Sequence, residues 1–94
     1  MNDSRLLATA QLILDGVAIN EAVQAGDMDE ARFRCHLISA HPDAGAFHAT
    51  ATAAAALGLM LGPAGTLPHP GYNSALRALS HAIDALPFRL PSST

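Results

Sequence analysis

Five histidines (His36, His41, His48, His69 and His81) and one cysteine, Cys35, are the side chains of this sequence best suited to metal binding or nucleophilic chemistry. Two ligands on one helix share a face only when they are three or four residues apart. No pair of histidines has that spacing, and His36 and His41, five apart, diverge by about 140° at 3.6 residues per turn. The carboxylates add no ligand spacing, so the sequence predicts no metal site and no cofactor. Cys35 adjoins His36, but adjacent helical side chains point apart and do not form a nucleophile–base pair. Its spacing with Ala31 and Ile38 predicts core packing, which suits a free thiol. Arg77, His81 and Asp84, four and three apart, have the spacing of a small charged network on one helix face. Outside the helices, His69 and Tyr72 in "LPHPGY" are binding candidates, because a proline-stiffened loop presents side chains at low entropic cost. No catalytic set follows from any of these patterns.

Two stretches resemble known families. Arg34 and His41, seven apart, resemble the Arg–His pair of the HEPN ribonucleases, which implies RNA cleavage at a cleft between paired helices. The residue directly after the arginine is Cys35 here, where those enzymes carry a polar side chain. "GDMDEA" (26–31), followed by "HPDAGAF" and "ALGLMLG", resembles one helical hairpin of a tetratricopeptide repeat and implies helix–turn–helix packing. Pro42 lies one position early for that repeat, and no second copy follows at a spacing of 34.

The elements that must position these residues follow from composition. Ninety-four residues make one domain, and a chain this short buries only about 60–65% of its unfolded surface. Twenty alanines and four aromatic residues favour helices, since Ala is the best helix former. All five basic residues are Arg and none is Lys, which together with the alanine excess reads as the codon bias of a GC-rich genome. A net charge of −3 with no basic cluster argues against a nucleic-acid surface. One cysteine argues against a secreted disulfide scaffold, and the N-terminus lacks the basic region of a signal peptide. A bacterial cytoplasm is the expected setting.

Four helices are predicted, at about 4–25, 28–41, 43–61 and 73–86, forming a small antiparallel all-α bundle. Gly26 fits the left-handed position that ends a helix. "DMDE" (27–30) reads as a capping box with Asp27 as cap, and Pro42 disfavours helical geometry in the residue before it. No charged residue occurs between Asp43 and Arg77. His48, Thr50 and Thr52 inside that stretch, and the lack of basic or aromatic anchors, argue for a protein-buried helix and against a membrane span. In it, Phe47, Ala54, Leu57 and Leu61 share one side, and Ala46, Ala49, Ala53 and Met60 form a smooth neighbouring surface. Residues 62–71, "GPAGTLPHPG", are a clear break. Asn73 is the expected cap of the last helix, with Leu76, Leu79, Ile83 and Leu86 facing inward. The tail is expected to be partly disordered from residue 88, with Phe88 and Leu90 able to fold back.

The first two helices are apolar on two sides. In the first, Leu6, Leu7, Ala10, Ile13, Leu14 and Val17 are expected to face the core. Leu12, Gly16, Ile19 and Val23 then form a second strip available to another protein. In the second helix, Met28, Ala31, Cys35 and Ile38 oppose Phe33, Leu37 and Ala40. Apolar surface beyond what one core can cover marks an interface. The expected function is a protein–protein interaction module, most simply a homodimer, acting as an adaptor, chaperone-like or regulatory subunit. The alternative is a ligand binder or enzyme that uses the histidines and the 62–72 loop.

Overall fold

The computed structural model describes residues 3–41, 44–45 and 47–86, with side chains from Leu6 onward. It contains four helices, α1 (Asp3–Gln24), α2 (Met28–Ser39), α3 (His48–Leu61) and α4 (Tyr72–Asp84). No strand occurs among the described residues. Each helix packs on its sequence neighbour, and α4 returns to α1 through a thinner contact, so the four form a ring with no diagonal pair among the described residues. The expected all-α bundle is the fold.

The α1–α2 turn shows how local chemistry builds this ring. Gly26 adopts φ 77°, a left-handed conformation that costs glycine nothing. That geometry lets Gly26 N donate to Val23 O at 3.1 Å and Asp27 N to Ala22 O at 2.8 Å, closing the end of α1. Asp27 then caps α2, its Oδ1 accepting from Glu30 N at 3.2 Å. The return arm of the capping box is not made. Asp27 N is already engaged with α1, and the Glu30 carboxylate accepts from Arg34 Nε at 2.7 Å instead.

The uncharged helix is a core element. Phe47, Thr50, Ala54, Leu57 and Leu61 are buried along α3. It begins at His48, later than the sequence suggests, because Phe47 N bonds Ala44 O in a turn and the first helical bond runs from Ala51 N to Phe47 O. The smooth face expected beside it is only half realised, with Ala49 exposed and Ala53 half-buried. The close approach lies at Gly58, where a Cβ would stand 3.7 Å from Cys35 Cβ. Helix α4 buries Leu79 and half-buries Leu76 and Ile83, as its pattern predicts, and Leu86, just past its end, is half-buried too. Its cap is the left-handed Gly71 rather than Asn73. The expectations for Pro42, Asp43, Ala46 and the tail from residue 87 lie outside the described residues.

The orientation of α1 reverses the expectation. Leu12 and Ile19 are 1% and 0% exposed, inside the chain's own core, with Ala8 and Ala22 beside them and Val23 packed against it. Leu7, Leu14 and Val17 are 70%, 63% and 51% exposed. Gly16 is taken up by α4, since a methyl there would collide with Cδ1 of Ile83. The strip Leu12, Gly16, Ile19 and Val23 is therefore the inner face, while of the residues assigned to the core Leu7, Leu14 and Val17 look outward and Leu6, Ala10 and Ile13 are half-buried. Glu21 supplies the reason. It lies seven residues after Leu14 and fourteen after Leu7, on the same line of the helix, so burying that line would bury an unpaired charge. By length and composition alone, Leu6–Gln24 would suffice to cross a membrane. In the folded chain it forms one wall of the bundle.

Truncation separates the two faces. Ile19→Ala should lower the unfolding free energy by about 2–5 kcal/mol, whereas Leu14→Ala should change it by no more than about 0.5 kcal/mol. Urea denaturation of the two variants checks this, and equal losses would contradict the placement of α1.

Candidate functional site

Helix α2 carries the polar side chains that tie the bundle together, and two grooves open along it. Arg34 reaches α1. Its Nη1 donates to Asp15 Oδ1 at 3.0 Å, while Nε holds Glu30 one turn back. Gln11 Nε2 donates to the same Asp15 oxygen at 3.2 Å. The two carboxylates favour the charged guanidinium and push its pKa further up. Asp15 is thereby accommodated in a largely buried position, its side chain 4% exposed.

Arg32 reaches the other way. Its Nε donates to Gly62 O at 2.8 Å, and Nη2 donates to Leu61 O at 3.0 Å and Thr66 O at 2.6 Å. Nη1 pairs with Asp29. A helix C-terminus leaves carbonyls without intrahelical partners, and a planar fork of donors suits several of them at once. Arg32 therefore caps α3 and fixes the start of the 62–71 loop. His69 N closes the same end by donating to Met60 O at 2.7 Å. The sequence offers no sign of this role, because the partners lie about thirty residues away.

The candidate residues are dispersed. His69 is exposed on its tethered loop, while the half-buried Tyr72 packs against the core. Their backbones meet through Tyr72 N and His69 O at 3.2 Å, but no side-chain bond joins them among the described residues. Arg77, His81 and Asp84 are exposed on α4, with no ion pair among them. No group of three metal-ligating side chains occurs among the described residues. Arg34, one half of the pair resembling HEPN ribonucleases, is committed to Asp15 and Glu30.

What the fold does bring together is a groove of about 350 Å³ between α1 and α2, lined by Gln11, Asp15, His36, Leu37, Ala40 and His41. A second groove of about 370 Å³ lies between α2 and α3 over Cys35, Ala54 and Gly58. Its thiol is quiescent. Cys35 is buried, and burial pushes its pKa up to about 11. The largest exposed apolar side chains on the helices are Leu7, Leu14 and Val17 of α1, Phe33 and Leu37 of α2, and Leu59 of α3, with Leu37 and Leu59 at the edges of the two grooves.

Comparison of the chain with protein-family models, with curated proteins and with solved structures returns no match.

The Cys35 environment has two measurable consequences. A thiol raised to about 11 holds roughly a hundredth of the thiolate of an ordinary one at pH 8, so its reaction with a thiol reagent should be about 100-fold slower in the folded chain than in urea. Because the folded pKa lies above the unfolded one, this stability is present below pH 9 and declines as pH rises toward 11. Rapid labelling of the native protein at pH 8 would contradict the buried placement.

Proposed function

We propose that this chain is a protein–protein interaction module whose contact surface is the outward face of α1, continued by Phe33 and Leu37 on α2. Self-association is its simplest form, and an adaptor, chaperone-like or regulatory role in the bacterial cytoplasm is the corresponding biology. The observation that carries the reading is the exposure of Leu7, Leu14 and Val17 at spacings of seven and three along one helix. With Ala10 between them, these positions follow the narrow seam by which two helices pair. Glu21 interrupts the line at its far end and Arg5 is the single basic residue in the α1 sequence, which disfavours a lipid surface, where several basic residues flank the apolar face.

Magnitudes set the expected strength. Full burial of a large aliphatic side chain is worth about 1.5–3 kcal/mol. Three such groups on each of two copies, already half or two-thirds exposed, yield roughly 5–10 kcal/mol. Association itself costs about 4–15 kcal/mol, so the seam alone supports a weak complex, and Phe33 and Leu37 are needed for a tight one.

Light scattering from about 10 µM to about 1 mM, a range suited to a weak complex, tests this reading. The wild-type mass should rise toward that of a dimer, and Leu14→Asp should remain monomeric with unchanged helical circular dichroism. A wild-type monomer throughout the range would overturn self-association. A dimer unaffected by Leu14→Asp would place the contact elsewhere. Co-sedimentation with neutral lipid vesicles, lost in Leu14→Asp, would assign the face to membranes.

A further inference from the structure

The outward strip of α1 reads the same in both directions. Leu7, Ala10, Leu14 and Val17 are spaced three, four and three apart, so the pattern is symmetric about Leu12. From Leu6 to Asn20 the only charged residue is Asp15, and Arg34 holds its buried side chain. On a chain of net charge −3, this is a face that a second copy can meet without like-charge repulsion.

The two flanks of the strip differ. Towards α2, Gln11 and Asp15 share a groove with Leu37, which sets Leu37 level with the middle of the strip. Phe33 lies one turn further along α2, and both side chains are exposed. Towards α4, Ile13 and Asn20 share a groove with Ser80 and Asp84, and the exposed residues on that side, His81 and Asp84, are polar.

Twofold symmetry, the usual relation in a dimer, turns this difference into a choice of direction. Helices paired in parallel are related by an axis that runs along them, so the α2 flank of each copy meets the α4 flank of the other. Helices paired antiparallel are related by an axis that crosses them, and both α2 flanks fall on the same side. Only the antiparallel pair brings the exposed Phe33 and Leu37 of the two copies together. Side-chain volume agrees. Parallel pairing would stack Ala10 on Ala10 and Leu14 on Leu14, a hollow next to a bulge, where close packing needs neither. Antiparallel pairing about Leu12 sets Leu14 against the partner's Ala10 and Leu7 against the partner's Val17. It also opposes the two helix dipoles instead of aligning them. Glu21 lies beyond the last apolar layer in either arrangement.

We propose that two copies of this chain pair antiparallel through α1, about a twofold axis level with Leu12, with Phe33 and Leu37 of both copies packed on the same side of the seam. This arrangement rests on the self-association reading and adds to it a direction, a register and a contact between the two α2 helices.

A nitroxide on Gln24→Cys, an exposed position at the end of α1, reads the direction. The labelled chain is mixed with ¹⁵N-labelled wild-type protein at the concentrated end of the light-scattering series, and wild-type amide intensities are followed. Cys35 is buried and stays unlabelled in a brief reaction at neutral pH. The amides of Leu6, Leu7 and Ala8 should lose intensity, while those of residues 21–25 keep theirs. Loss at residues 21–25 instead would overturn the antiparallel pair and leave self-association standing. A dimeric mass with loss at neither end of α1 would overturn the α1 contact itself. A monomeric mass with no loss anywhere would remove self-association, and the proposal with it. A second label, on the exposed Ala40→Cys, should attenuate Phe33 and Leu37 more than residues 80–84. The reverse order would overturn the α2 contact.

Discussion

The rotation of α1 about its own axis decides what this small bundle can do. The helix has two apolar faces of comparable quality, and only one can enter the core. Two carboxylates settle the choice. Asp15 sits at the edge of the inner face, where Arg34 of α2 and Gln11 can hold it. Glu21 lies in line with the other face, and no described side chain is positioned to pair with it there. Turning α1 by half a revolution would part the first from Arg34 and drive the second into the core, at a cost of several kcal/mol for each uncompensated charge. Gly16 suits the setting, because Ile83 of α4 packs where a methyl at this position would stand and would have to move to admit one.

Helix α2 completes the arrangement from the opposite side. Its Met28, Ala31, Cys35 and Ile38 stripe packs inward, while Arg34 fastens α1 and Arg32 fastens the end of α3 and the loop beyond it. Two arginines within one turn of a short helix thus hold both neighbours. With the inner stripes used in this way, Leu7, Leu14 and Val17 of α1, Phe33 and Leu37 of α2, Leu59 of α3 and Leu67 of the loop are left exposed by the chain's described residues. The exposed apolar face and the α1–α2 groove are both consequences of where these fastenings fall.

The fold class and element order were legible because alanine content, the Gly26 and Pro42 stops and the Asp27 cap all act locally. The packing of one side of α3 into the core was legible too, since an uncharged helix carrying His48 and two threonines suits a protein interior better than lipid, but its other side, with Thr52, Ala55, Ala56 and Leu59, is exposed. The faces of α1 were misread because residue spacing alone cannot rank two apolar strips. The informative residue is Glu21, a single carboxylate in line with Leu7 and Leu14 among larger apolar side chains. The start of α3 was placed early because "PDAGAF" contains good helix formers, whereas Gly45 and the Ala44–Phe47 turn hold it outside the helix. The roles of Arg32 and of the Asp15–Arg34 pair were invisible for a simpler reason. Their partners are brought near only by the packing of one helix on another.

Solvent exposure of individual methyl groups at two protein concentrations tests the account most directly. With a soluble paramagnetic probe in the buffer, the methyl signals of Leu12 and Ile19 should stay sharp at every concentration. Those of Leu7, Leu14 and Val17 should broaden in dilute solution and sharpen as the protein is concentrated and the face is covered. Broadening of Leu12 and Ile19 in the dilute sample, with Leu7, Leu14 and Val17 protected there, would show that α1 presents the opposite face and would contradict the account.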